Sequence, residues 1–141
     1  MVSGTLPAGL TLSASTGAVS GTPTTAGTGA VTIAATDAAD ATNVGTVTYS
    51  VVISAASKIT SPRTLPTAAR GTAYSYSVLT ANQQGTTSWS LAGGSMPPGM
   101  SLNPTTGVLS GICTSKGTWS FNARAKDVST DDTLTLTLQV K

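Results

Sequence analysis

Five aspartates carry all the acidity of this sequence, Asp37, Asp40, Asp127, Asp131 and Asp132, and no histidine or glutamate accompanies them. Without imidazole, the Ser-His-Asp and Cys-His arrangements that activate a nucleophile are excluded, and zinc loses its commonest nitrogen ligand. A carboxylate-pair glycosidase would have to draw both acids from one loop region. Calcium is the metal these residues could hold, because it takes hard oxygen ligands, and Asp40 with Asn43, or Asp131 with Asp132, fall close to Asp37 and Asp127. The competing reading is solvated turn aspartates, and the expectation is no cofactor and no catalytic residue.

The other residues with chemical potential are aromatic. Trp119, Tyr74 and Tyr76 are the candidates for a platform on which a sugar ring could lie. Each has a packing alternative: Trp119 alternates with Phe121 and Tyr74 with Tyr76, so at least one pair should face a core. Trp89 sits in the middle of an alternating run and is expected to be buried. Cys113 stands alone, so no intramolecular disulfide can form, and it reads as a small buried apolar residue.

These residues have to be positioned by strands. Only 9% of the chain is charged, against about 25% in ordinary domains, while 39% is hydrophobic. The solubilising surface is therefore hydroxyl and backbone, the composition of exposed strands in secreted all-β modules. Seven Lys and Arg against five Asp leave a net charge of +2 with no basic stripe, which argues against a nucleic-acid partner. No apolar run approaches the length of a membrane span, so no membrane insertion is expected, and Met1-Val2-Ser3 opens no signal-peptide pattern. An exported form would carry its targeting segment further upstream.

An internal repeat sets the organisation. Gly4-Thr5-Leu6-Pro7-Ala8-Gly9-Leu10-Thr11-Leu12 aligns with Gly94-Ser95-Met96-Pro97-Pro98-Gly99-Met100-Ser101-Leu102, and the spacing, 94 minus 4, is 90 residues. The register holds through Thr16-Gly17-Ala18-Val19-Ser20-Gly21 over Thr106-Gly107-Val108-Leu109-Ser110-Gly111 to Asp37 over Asp127. Past the aspartates, Val47, Tyr49, Val51 and Ile53 match Leu134, Leu136, Leu138 and Val140 at a spacing, 140 minus 53, of 87, so the first unit has the longer last loop.

Residues Ile59 to Gly93 have no counterpart in the first unit. They read as further strands, Ala73 to Leu79 and Thr87 to Leu91, after a proline-broken edge strand around Pro62 and Leu65-Pro66-Thr67. Leu-Pro-x-Gly-Leu supplies a tight turn, Ser15-Thr16-Gly17 and Thr105-Thr106-Gly107 supply hairpins, and nothing has sustained helical periodicity.

Leu6-Pro7-Ala8-Gly9-Leu10-Thr11-Leu12, then Thr16-Gly17-Ala18-Val19-Ser20-Gly21-Thr22-Pro23 through to Asp37, resembles the bacterial putative Ig domain repeats, a cadherin-like group. The second unit repeats the pattern from Met96 to Asp127 and departs from it at Ile112-Cys113, where Thr-Pro is usual. The resemblance implies an all-β chain of tandem immunoglobulin/cadherin-like Greek-key β-sandwiches, the first lacking its N-terminal strands. The expected divisions are a partial repeat over 1–54, a linker over 55–58 and a complete repeat over 59–141. Cadherin-type calcium sites take acids from the linker, and Ser54-Ala55-Ala56-Ser57-Lys58 offers none.

The cores are expected from Leu10, Leu12, Val19, Val31, Ile33, Val51 and Ile53 in the first unit. In the second they are Val78, Trp89, Leu91, Met100, Leu102, Leu109, Phe121, Leu136 and Leu138. The resemblance implies an extracellular, cell-surface or secreted location and a structural or adhesive role without catalysis. A phage virion component, such as a capsid decoration or tail protein, and a carbohydrate-binding accessory of a secreted hydrolase are the alternatives. The expected partner is a protein or glycan surface. The incomplete first unit is expected to be completed by upstream residues or, alternatively, by strand complementation from a neighbouring subunit.

Overall fold

The structure, a computed structural model, describes residues 3–141, and among these every regular element is a β-strand. Two compact units divide the chain between Ala55 and Ala56.

The second unit is built on two three-stranded antiparallel sheets. One has the order β13 (Asp131–Val140), β12 (Gly117–Lys126), β9 (Ser88–Gly94); the other has β10 (Met100–Leu102), β11 (Val108–Ile112), β7 (Ala73–Ser77). A short pair, β6 (Lys58–Ile59) with β8 (Thr80–Ala81), lies beside them. The alternation predicted for β12 and β13 is what the pleat enforces: Phe121, Ala123 and Ala125 are buried opposite Leu136 and its neighbours, while Ser120 and Asn122 point outward. Leu109 and Val78 meet these residues from the other sheet and its continuation, so one core lies between the two sheets, with Trp89 and Cys113 inside it.

Outward faces are tied by hydroxyls. Ser120 Oγ lies 3.2 Å from Thr137 Oγ1, and Thr135 Oγ1 donates to Asn122 Oδ1 at 2.9 Å; in the first unit Thr32 and Thr48 make the same kind of cross-strand pair at 2.9 Å.

The proline-bearing segment runs parallel beside β13 as two isolated bridges, Thr64 to Thr137 and Ala68 to Val140. Leu65 and Ala68 donate their N–H groups to Thr137 and Gln139, and both side chains are buried. Pro66, which has no N–H to give, falls between the two bonds, which is why the ladder is broken there.

The first unit contains β1 (Ser3–Gly4), β2 (Leu10–Leu12), β3 (Val19–Gly21), β4 (Gly27–Thr36) and β5 (Val44–Ile53). β4 pairs along its whole length with β5 and at Val31 and Thr32 with β1, while β2 pairs with β3. The repeat is reproduced bond for bond at the turns. Leu10 N–H donates to Pro7 O and Met100 N–H to Pro97 O, both at 3.1 Å, around glycines at φ +90°. Gly17 and Gly107 likewise donate to the carbonyls of Ser13 and Asn103, at 2.9 and 3.0 Å.

Two core expectations are corrected. Val19 is 45% exposed, because nothing among the described residues of its unit takes the place of those that bury its equivalent Leu109. Leu91 is 43% exposed because it sits on the edge strand β9, beside the register shift between Asn122 and Ala123 that ends regular pairing. Of the remaining first-unit core residues, Val31 is fully buried, and Leu10, Leu12, Ile33, Val51 and Ile53 are half-buried.

Candidate functional site

The aspartates occupy the loops that join β4 to β5 and β12 to β13, and the start of β13. Asp127 is buried, and both of its oxygens are engaged. Oδ1 accepts from the backbone N–H groups of Ser129 and Thr130, each at 2.8 Å, and from Ser129 Oγ at 2.9 Å; Oδ2 accepts from Gln84 N–H at 2.9 Å. The Gln84 and Ser129 backbone donors, with Thr130, hold its carboxyl far below the ordinary carboxylate range. Asp132 Oδ2 accepts from Ile59 N–H at 2.7 Å, and Asp131 is paired with Arg124 through both guanidinium and carboxylate. The Arg124 hydrogen bond lowers the Asp131 pKa, and Asp131 in turn raises that of Arg124.

In the first unit Asp37 Oδ1 accepts from Ala39 N–H at 2.8 Å, and Asp40 Oδ1 from the hydroxyl and N–H of Thr42, which lower its pKa. These are turn-closing and strand-anchoring bonds. The five calcium candidates are thus spread over separate partners, and no group of three acidic, histidine or cysteine side chains converges among the described residues.

The aromatic candidates stand on inward faces. Tyr74 and Tyr76 alternate along β7 and pack against the core, with Tyr74 Oη donating to Pro66 O at 3.1 Å and burial pushing its pKa up. Trp119 shares the inner face of β12 with Phe121 and is also packed against the core; its Nε1 is buried without a partner among the described residues. All three are half-buried.

A site that the sequence reading left undefined lies on the first unit. Leu6, Val19, Val31, Ile33, Tyr49 and Val51 line an open apolar groove of about 680 Å³. Tyr49 is 50% and Val47 is 47% exposed, whereas Leu136, at the position equivalent to Tyr49, is completely buried. Gly17 also borders the groove. Its equivalent, Gly107, is where the Trp89 indole rests: a Cβ there would meet Trp89 Cε2 at 2.5 Å, while a Cβ on Gly17 would meet nothing within 4 Å. Both glycines have left-handed backbones, φ +72° and +68°, and the repeat alignment already paired them. What the alignment could not reveal is that one of the two is covered by an indole and the other opens on the groove.

Two small sheets closed over an apolar core, with a parallel edge segment beside the last strand, define an immunoglobulin-like β-sandwich protein. The chain belongs to the family described as "Putative Ig domain", whose model matches residues 1–54 and again 56–141. No curated protein is similar enough in sequence to count as a relative. Among solved structures, a protein described as a putative α-galactosidase from Bacteroides fragilis NCTC 9343 is 25% identical over 60% of this chain, with a TM-score of 0.55. A second, described as a putative α-galactosidase/melibiase from the same organism, is 21% identical over 60%, also at 0.55. An endo-fucoidan hydrolase of glycoside hydrolase family 107 is similar over 99% of the chain at 19% identity and a TM-score of 0.50. The chain spans only 17%, 17% and 23% of these three proteins.

Proposed function

We propose that this protein is a non-catalytic structural or adhesive module of an extracellular bacterial surface or secreted protein, made of tandem Greek-key sandwiches of which the first lacks its front strands. The observation that carries this reading is the repetition of one Ig-like unit whose acids are engaged by its own backbone and side chains. Asp127 and Asp132 are committed to N–H groups of Gln84 and Ile59, so they tie the front of the second unit to its final loop, and neither is poised toward a substrate. Such a module works by presenting surfaces at a distance, and its partner is a protein or glycan on another surface. Protease treatment of intact producing cells tests the location: the protein should be lost from the cell surface or recovered in the medium, and full protection until lysis would overturn the reading. A hydrolytic activity abolished by Asp127→Asn in a variant still folded at the assay temperature would overturn the non-catalytic part.

A second reading is favoured by the similarity to one part of the protein described as a putative α-galactosidase from Bacteroides fragilis. Here the protein is a carbohydrate-binding accessory that accompanies a glycoside hydrolase. Retention on insoluble polysaccharide, lost on changing Trp119 or Tyr76 to Ala, would support it, and passage through without retention would remove it.

A further inference from the structure

The second unit carries a cleft built largely from residues that the repeat does not duplicate. Residues 77–80, the loop 83–87 before β9 and the turn 105–106 between β10 and β11 border a space of about 560 Å³, and of these segments the turn alone has a counterpart in the first unit, Ser15-Thr16. The walls are tied to one another. Val78 N–H donates to Gly107 O at 3.1 Å and Trp89 N–H to Pro104 O at 2.8 Å, while Asn103 Oδ1 accepts from the N–H groups of Thr105 and Thr106 at 2.9 and 3.0 Å. Gln84 N–H, donating to Asp127 at 2.9 Å, fixes the loop. The cleft is therefore set before any ligand arrives, and its volume falls in the range of about 300–1,000 Å³ that small-molecule sites occupy.

Hydroxyls dominate its lining. Ser77, Thr80, Thr86, Thr87, Thr105 and Thr106 border the space with the Gln83 amide and the edge of Trp89, and none of the lining residues is charged. A hydroxyl both donates and accepts, so such a set matches a ligand whose own polar groups do the same, which is the chemistry of a sugar. Thr87 adds an independent observation. Its Oγ1 is buried with no partner among the described residues, a state that costs stability. Rotation about χ1 exchanges its hydroxyl and methyl, so a ligand hydroxyl in the cleft can supply the missing partner. A second cleft of about 480 Å³ shares Thr86, Thr87 and Thr105 with the first, and the two charged residues on its wall, Lys126 and Asp127, are of opposite sign. A chain of more than one ring has room to continue there, and neither cleft presents a net charge.

We infer that this double cleft binds a short stretch of neutral polysaccharide, one ring hydrogen-bonded by Thr86, Thr87 and Thr105 and the next lying toward Val128. The inference rests on the glycan half of the partner proposed above and names its site and its chemical class. The site is separate from Trp119 and Tyr76, which pack against the core.

The probes are cellotetraose, maltotetraose, xylotetraose and β-1,4-galactotetraose, with the acidic tetragalacturonate beside them, each titrated into the whole 141-residue protein and followed by NMR shifts. Saturable shifts at the amides of Thr86, Thr87 and Thr105 and at the Trp89 indole N–H are expected with at least one neutral sugar, at a Kd of about 1 mM or tighter. Thr87→Val should weaken that binding about fivefold, the share of one hydrogen bond, without lowering the melting temperature, since it removes an unpaired hydroxyl. Thr87→Ser keeps the hydroxyl and should bind within about twofold of the parent. Thr105→Ala, on an exposed turn, should weaken binding as Thr87→Val does and serves if the valine variant fails to fold. Parent-like binding by the Thr87→Val protein, or binding confined to tetragalacturonate, overturns the proposal. Neutral-sugar binding whose shifts fall on Trp119 and Tyr76 overturns this site and leaves the glycan reading standing, whereas no binding of any sugar at about 10 mM overturns both.

Discussion

Replacing Gly107 with alanine tests the packing of the second unit at its most constrained contact. Two penalties act together. The left-handed backbone, φ +68°, costs an L-residue about 1–2 kcal/mol. The new methyl would lie 2.5 Å from Cε2 and 2.7 Å from Nε1 of Trp89, a ring held in the core at 6% exposure, and forcing it aside is an overpacking cost of about 1–3 kcal/mol. The single substitution should therefore lose about 2–5 kcal/mol in all. Trp89→Ala alone should lose about 3–5 kcal/mol through the cavity it leaves.

In the double variant the methyl enters that cavity, so only the backbone penalty is added, and the two losses fall short of additivity by about 1–3 kcal/mol. Urea unfolding of all four proteins, followed by circular dichroism because one of the two tryptophans is removed, measures the cycle. Additive losses within about 0.5 kcal/mol would refute the claim that the glycine is required by the indole.

Leu136→Ala should cost about 2–5 kcal/mol by denaturant unfolding, whereas Tyr49→Ala at the equivalent place should cost well under half of that, because the tyrosine is already half in solvent. The Asp127 carboxyl is depressed in the folded state, so its contribution is complete above its unfolded pKa of about 4 and is lost as pH falls below that. Asp127→Asn should accordingly lower the melting temperature at pH 7 and flatten its fall below pH 4. Cys113 is fully buried and burial raises its pKa, so a thiol reagent should leave it unmodified in the native protein and label it stoichiometrically on unfolding.

How much of this was legible in the sequence depends on the range of the interaction. The long strands β4, β5, β12 and β13 were readable because alternation is a local property, and the turn glycines because their left-handed φ follows from the turn. The two-residue pair β6 and β8 was not, since neither strand is long enough to show a period. Leu91 alternates correctly and is still exposed, because the edge position and the register shift are set by a partner strand some 30 residues away. Among the candidate residues, spacing put Trp119 with Phe121 and Tyr74 with Tyr76 on common faces and required that at least one pair face a core; it could not say that both do. The partners of Asp127 and Asp132 did not: Gln84 and Ile59 donate from the main chain, which leaves no mark on residue type.

The hydroxyl ladders across the outer faces have a consequence for the conditions in which the protein can work. Contacts such as Ser120 with Thr137 and Thr32 with Thr48 involve no titrating group and no formal charge. With no histidine in the chain, the side chains titrate at the acid and alkaline ends and leave a plateau of nearly constant charge between. Among the described residues the ion pair that ionic strength could screen is Arg124–Asp131. The same coat should therefore hold from fresh water to brine and from mild acid to mild alkali.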